Sequence, residues 1–132
     1  MQSYVLMIQT DADDILITES ALTEIGTGIP VKFIASLEEM EPVVATTGKP
    51  AVILLNDRGT LNRGIHLLKK IRSSESYTHI PIVILGEYTT EDYIHEIYRA
   101  GANTYIIKPS TVSETRKKIE TFFTYWFEVA AT

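Results

Sequence analysis

Five short apolar runs recur along the chain, each followed by a longer stretch of helical periodicity. The runs are Tyr4-Val5-Leu6-Met7-Ile8, Val31-Lys32-Phe33-Ile34-Ala35, Ala51-Val52-Ile53-Leu54-Leu55, Ile82-Val83-Ile84-Leu85 and Tyr105-Ile106-Ile107. Most are continuous rather than alternating, and rich in β-branched residues. That is the pattern of strands buried on both faces of a parallel sheet.

The segments between them carry helical spacing. Residues 14–25 place Ile15, Leu16, Leu22 and Ile25 near one face, and Gly26 or Gly28 ends that helix. Leu37, Met40 and Val44 suggest a second, with Pro42 obscuring its start. Ile65, Leu68, Ile71 and Arg72 mark a third, with Lys69 and Lys70 pointing outward. Thr89 with Asp92 resembles a capping box, and Ile94, Ile97 and Tyr98 carry a fourth helix to Gly101. The last helix runs from about Thr111 to Ala130, with Ile119, Phe122, Phe123, Trp126 and Ala130 on one stripe and Tyr125 and Phe127 flanking it.

Five strands alternating with five helices predict a single α/β domain over residues 1–132, a parallel sheet joined by right-handed crossovers. Ligands in such sheets sit at the carboxyl ends of the strands. The positions of interest are therefore Gln9 to Asp14, Asn56 to Gly59, Gly86 to Tyr88, and Lys108-Pro109.

Composition narrows the chemistry. With no cysteine there are no disulfides, thiolate metal sites or thiol nucleophile. His66, His79 and His95 are too far apart for a local metal-ligand pair. A net charge of -5 lacks the footprint of a nucleic-acid binder. No run approaches the ~20 apolar residues that span a bilayer, and no signal-peptide pattern opens the chain, so a soluble, cytoplasmic domain is expected.

Several segments together resemble the receiver domains of two-component response regulators. "KPAVILLN" is similar to the third strand leading to the phosphoacceptor, "GIHLLKKIRSS" to the third helix, and "HIPIVIL" to the fourth strand. "AGANTYIIKP" is the most specific piece, and the "YWFEVA" ending is similar to single-domain regulators that partner bacterial phytochromes. The resemblance covers nearly the whole chain. It implies a flavodoxin-like sheet of order 2-1-3-4-5 between helices, a three-layer sandwich acting in phosphorelay signalling. It also implies a sensor histidine kinase or another signalling protein as partner, and a homodimer through the face of the fourth helix, fifth strand and fifth helix. Tyr93, Tyr125 and Phe127 are the candidate interface residues.

Carried over residue by residue, the resemblance departs at the reaction centre. Asn56 stands at the phosphoacceptor position, Gln9 and Thr10 at the acid positions with Asp11 next to them, and Gly86 at the Thr/Ser position. Lys108 matches the family's lysine and Tyr105 its aromatic switch. A carboxamide is too poor a nucleophile to form the acyl phosphate. Each carboxylate lost at ~5 Å, with an effective dielectric of ~20, forfeits roughly 6–7 kcal/mol of gross attraction for a divalent ion. No catalytic residue, metal or cofactor is assigned, and a phosphorylation-independent pseudo-receiver, not an enzyme, is expected.

Two alternatives stay open. Asp57 could be an unconventional acceptor with Asp11 helping to hold Mg²⁺, although strand neighbours face opposite ways and a solvent-facing or lysine-paired Asp57 is expected. Asp11, Asp13 and Asp14 also read as helix caps. Lys108 either ties to a nearby acid or faces a small-anion pocket, whose mouth Arg58 overhangs. The absence of a hydroxyl at Gly86 predicts a Tyr105 ring held permanently inward.

Overall fold

Strands without a polar face must be covered on both sides, and the chain meets this with one sheet between two helical layers. The computed structural model describes residues 4–8, 12–25, 28–57, 63–87, 90–107 and 111–129. The strands are β1 (Val5–Ile8), β2 (Val31–Ile34), β3 (Val52–Asp57), β4 (Ile82–Gly86) and β5 (Thr104–Ile107). All pairings are parallel, and the order is β2-β1-β3-β4-β5, as expected. The helices are α1 (Ala12–Ile25), α2 (Met40–Thr47), α3 (Arg63–Arg72), α4 (Glu91–Arg99) and α5 (Val112–Thr124).

Alternation along the strands divides the core in two. Leu6, Ile8, Ile53, Leu55, Ile82 and Ile84 pack on one face with Met40, Leu68 and Ile97 of α2, α3 and α4. Val5, Met7, Val52, Leu54, Val83 and Leu85 pack on the other with Ala21, Ile119 and Phe123 of α1 and α5. Because β3 runs on to Asp57, this alternation extends to its last two residues and sends Asn56 and Asp57 to opposite faces.

Arg72, at the end of α3, fastens the opposite end of the sheet. Its Nε donates to the Gly101 carbonyl at 2.9 Å, and Nη1 to those of Tyr77, Thr78 and Ile80 at 3.1, 3.2 and 2.8 Å. Nη2 donates to Asn103 Oδ1 at 3.0 Å, which also accepts the Ile82 N–H at 3.0 Å. One side chain thus joins α3, the approach to β4 and the α4–β5 turn.

Three local expectations are corrected, and the start of α2 is placed. Leu16 is 64% exposed, and α1 turns Thr18 and Ala21 inward instead. Pro42 sits in the first turn of α2, where its missing N–H has no intrahelical partner to lose, and a 3₁₀ turn over Leu37–Glu39 leads in. The cap of α4 is Thr90, whose hydroxyl accepts the Tyr93 N–H at 3.2 Å; Thr89 lies outside the described residues. The α-helical part of the last helix ends at Thr124 and continues as a π turn over Tyr125–Val129. That wider turn brings Phe127 over Phe123, with ring centroids 6.0 Å apart and planes 14° from parallel.

Candidate functional site

The carboxyl ends of β3 and β4 bring together Asn56, Asp57, Gly86 and Glu87, the Tyr105 side chain reaches them from β5, and Tyr93 lies above on α4. Gln9, Thr10, Asp11, Arg58 and Lys108 lie outside the described residues, so the acid positions after β1 and the readings of Lys108 are not placed.

Asn56 is half-buried on the α1–α5 side of β3. Asp57 is 6% exposed, which corrects the solvent-facing half of the expectation; the lysine-paired half turns on Lys108, outside the described residues. Its carboxylate is held from two helices. Oδ2 accepts the Tyr93 hydroxyl at 2.6 Å, and Oδ1 accepts the Gly64 N–H at 3.3 Å. Gly64 is the second residue of α3, where a free first-turn N–H and the helix dipole both favour an anion. The approach requires a glycine. A Cβ there would lie 2.8 Å from Asp57 Cγ and 3.0 Å from Oδ2.

Gly86 and Tyr105 form the second half of the site. The Tyr105 ring covers Gly86 so closely that a Cβ at 86 would meet its hydroxyl and stand 2.8 Å from Cζ. The Tyr105 hydroxyl donates to the Glu87 carbonyl at 2.9 Å. The ring is therefore inward, as its pairing with Gly86 predicts. Burial, together with the nearby negative charge of Asp57 and Glu87, pushes the Tyr105 hydroxyl up to about 12. Tyr93 is also raised above its ordinary value, first by burial and then by its bond to Asp57, since removing its proton would set two anions together.

The divalent ion that receiver chemistry uses does not fit the described donors. Asn56 is a neutral amide, Gly86 has no side chain, and both Asp57 oxygens are engaged on the far face of β3. Among the described residues no three His, Asp or Glu side chains gather as a metal would require. The described residues at this end of the sheet form a polar network centred on Asp57 and Tyr105.

A second feature lies beside it. An open groove of about 660 Å³ runs between edge strand β5 and α5, walled by Phe122, Tyr125 and Trp126 with Lys118 at its rim. Of the candidate interface residues, Tyr125 is exposed, at 52%. Tyr93 is half-buried with its hydroxyl on Asp57, and Phe127 is half-buried against Phe123. Sequence reasoning missed Gly64 and Tyr98. Tyr98 accepts the outward N–H of Tyr105 at 3.0 Å, a contact that nothing local to the α4 sequence announces.

Known proteins agree with this fold. Residues 5–120 match the family model of the response regulator receiver domain. The chemotaxis protein CheY-3 of Vibrio cholerae is 36% identical over 61 residues, covering 46% of this chain and 47% of its own length. The chain thus spans about half the length of the relatives it matches. The phosphorylated cyanobacterial phytochrome response regulator RcpA superposes with a TM-score of 0.85 at 22% identity, over 99% of this chain and 98% of its own. A response regulator from Hahella chejuensis gives 0.85 at 23% identity, over 99% of both chains. Among the described residues no helix is long and apolar enough to cross a membrane.

Proposed function

The chain belongs to the response regulator receiver domain family, and on that premise we propose that it is a two-component signalling module that works through protein contacts without accepting a phosphoryl group. The observation that carries this reading is the state of Asp57. It directly follows the acceptor position in the chain, and it is buried, turned away from Asn56 and hydrogen-bonded through both oxygens. An in-line attack on phosphorus needs a free carboxylate oxygen with open space before it. Asn56 lacks the nucleophile and Asp57 lacks the space, which counts against the reading of Asp57 as an unconventional acceptor.

Its partners are then a sensor histidine kinase or another signalling protein, and a second copy of the chain. The surface that suits them is the one shared by α4, β5 and α5, where Tyr125 and the groove beside it offer apolar area. On α4 the exposed Glu91, Asp92 and Glu96 outnumber Arg99, and on α5 the exposed Lys117 and Lys118 outnumber Glu114, so the two helices carry opposite charge on balance. A twofold pairing would set the two helices against one another.

Intact-mass measurement after incubation with a small phosphodonor and Mg²⁺ tests the proposal. An unmodified mass is expected. A phosphoryl adduct that disappears in Asp57→Ala would establish the opposite, a working acceptor at Asp57.

A further inference from the structure

Helix α4 has little apolar packing of its own. Of its nine residues only Ile97 is fully buried, whereas α3 buries Ile65, Leu68 and Ile71. Tyrosine hydroxyls supply the missing attachment. Tyr93 joins α4 to the end of β3 through Asp57, Tyr98 joins α4 to β5 through the Tyr105 N–H, and Tyr105 joins β5 to the end of β4 through the Glu87 carbonyl.

Asp57 differs from the other two partners. The Tyr105 N–H donates once and the Glu87 carbonyl accepts once here, but the carboxylate faces α3 with one oxygen and α4 with the other. It is also charged and buried, so each hydrogen bond to it is stronger than one between neutral groups, and leaving an oxygen unpaired is costly. We infer that Asp57 is a positioning residue, a built-in anion that fastens α4 to the sheet and so fixes the surface that α4 shares with β5. This goes beyond the absence of phosphorylation, because it gives the carboxylate beside the former reaction centre a task of its own.

Amide hydrogen exchange, residue by residue, tests the anchor in the full chain. Tyr93→Phe keeps the ring and removes only the hydroxyl. It is expected to speed exchange across 91–99 by roughly tenfold or more, the equivalent of one hydrogen bond to a charged group. Amides of α1 and β1 are expected to keep their protection. Asp57→Ala should act in the same way, while Asp57→Asn, which keeps one acceptor oxygen for Tyr93 but loses the charge, should restore only part of the α4 protection. Unchanged exchange in α4 of Tyr93→Phe overturns the inference, as does a loss spread evenly over all elements. Should Asp57→Ala fail to fold, the Tyr93→Phe result decides alone. Phosphoryl uptake plays no part in this readout. A protected α4 would sink the anchor and leave the signalling proposal standing, and a mass adduct would do the reverse.

Discussion

The Tyr105 ring fills the volume above Gly86 that a side chain at that position would occupy. With a Cβ at 86 destined to lie 2.8 Å from Tyr105 Cζ, the two residues are a matched pair. The absence of a side chain admits the ring, and the bond from its hydroxyl to the Glu87 carbonyl keeps it there. A threonine at 86 and this tyrosine conformer exclude one another.

Gly86→Thr is therefore expected to expel the ring and destabilise the fold by about 1–3 kcal/mol, the usual cost of overpacking. Urea denaturation reads the loss. In the background of Tyr105→Ala the same threonine should cost much less, and equal costs in both backgrounds would break the proposed pairing.

Alkaline pH should loosen the same region. The Tyr93 and Tyr105 hydroxyls hold their protons more tightly in the folded chain than the ordinary tyrosine value of 10, Tyr105 up to about 12. Between pH 10 and 12 the native state thus binds more protons than the unfolded one, and stability falls as pH rises. The contribution is fully present below pH 10, so neutral pH shows no effect. Denaturation at stepped alkaline pH should give a shallower decline in Tyr105→Phe than in the parent, and parallel curves would contradict the assignment.

Arg72→Ala removes a guanidinium bonded to four carbonyls and to Asn103. A loss of about 2–4 kcal/mol is expected on thermal or urea unfolding. Arg72→Lys should recover little, because an ammonium cannot span the donors of a planar fork. Full recovery by lysine would mean that charge, and not geometry, is what the site needs.

The last helix separates surface from core at neighbouring positions. Tyr125→Ser should weaken self-association in sedimentation and leave stability nearly unchanged. Phe127→Ser should instead lower stability through the lost stacking on Phe123. An unchanged mass distribution for Tyr125→Ser would remove the end of α5 from the interface.

Strand positions were legible because buried parallel strands leave continuous apolar runs, the sheet order came from the resemblance to receiver domains, and β3's alternation correctly parted Asn56 from Asp57. The inward Tyr105 was legible too, since a missing side chain at 86 creates room that a nearby ring can fill. Asp57 was misread because its partner Tyr93 is 36 residues away on another helix, and strand alternation says which face a residue takes but not what waits there. The packing of Phe127 was not legible for a different reason. A 3.6-residue projection fails over the π turn, whose wider winding lays that ring, half-buried, over Phe123. The exposed Leu16 shows the same limit, as α1 buries the smaller Thr18 and Ala21 where the helix lies close to the sheet.

The central claim is that this receiver holds one state and has no living phosphorylation switch. A backbone amide NMR titration with Mg²⁺ and then beryllofluoride, which mimics a phosphoryl group on aspartate, tests it most directly. The expected spectrum is unmoved at Asp57, Gly86 and Tyr105. Shifts spreading from Asp57 through Gly86 to Tyr105 and α4 would contradict the claim and make the site a rewired, working switch.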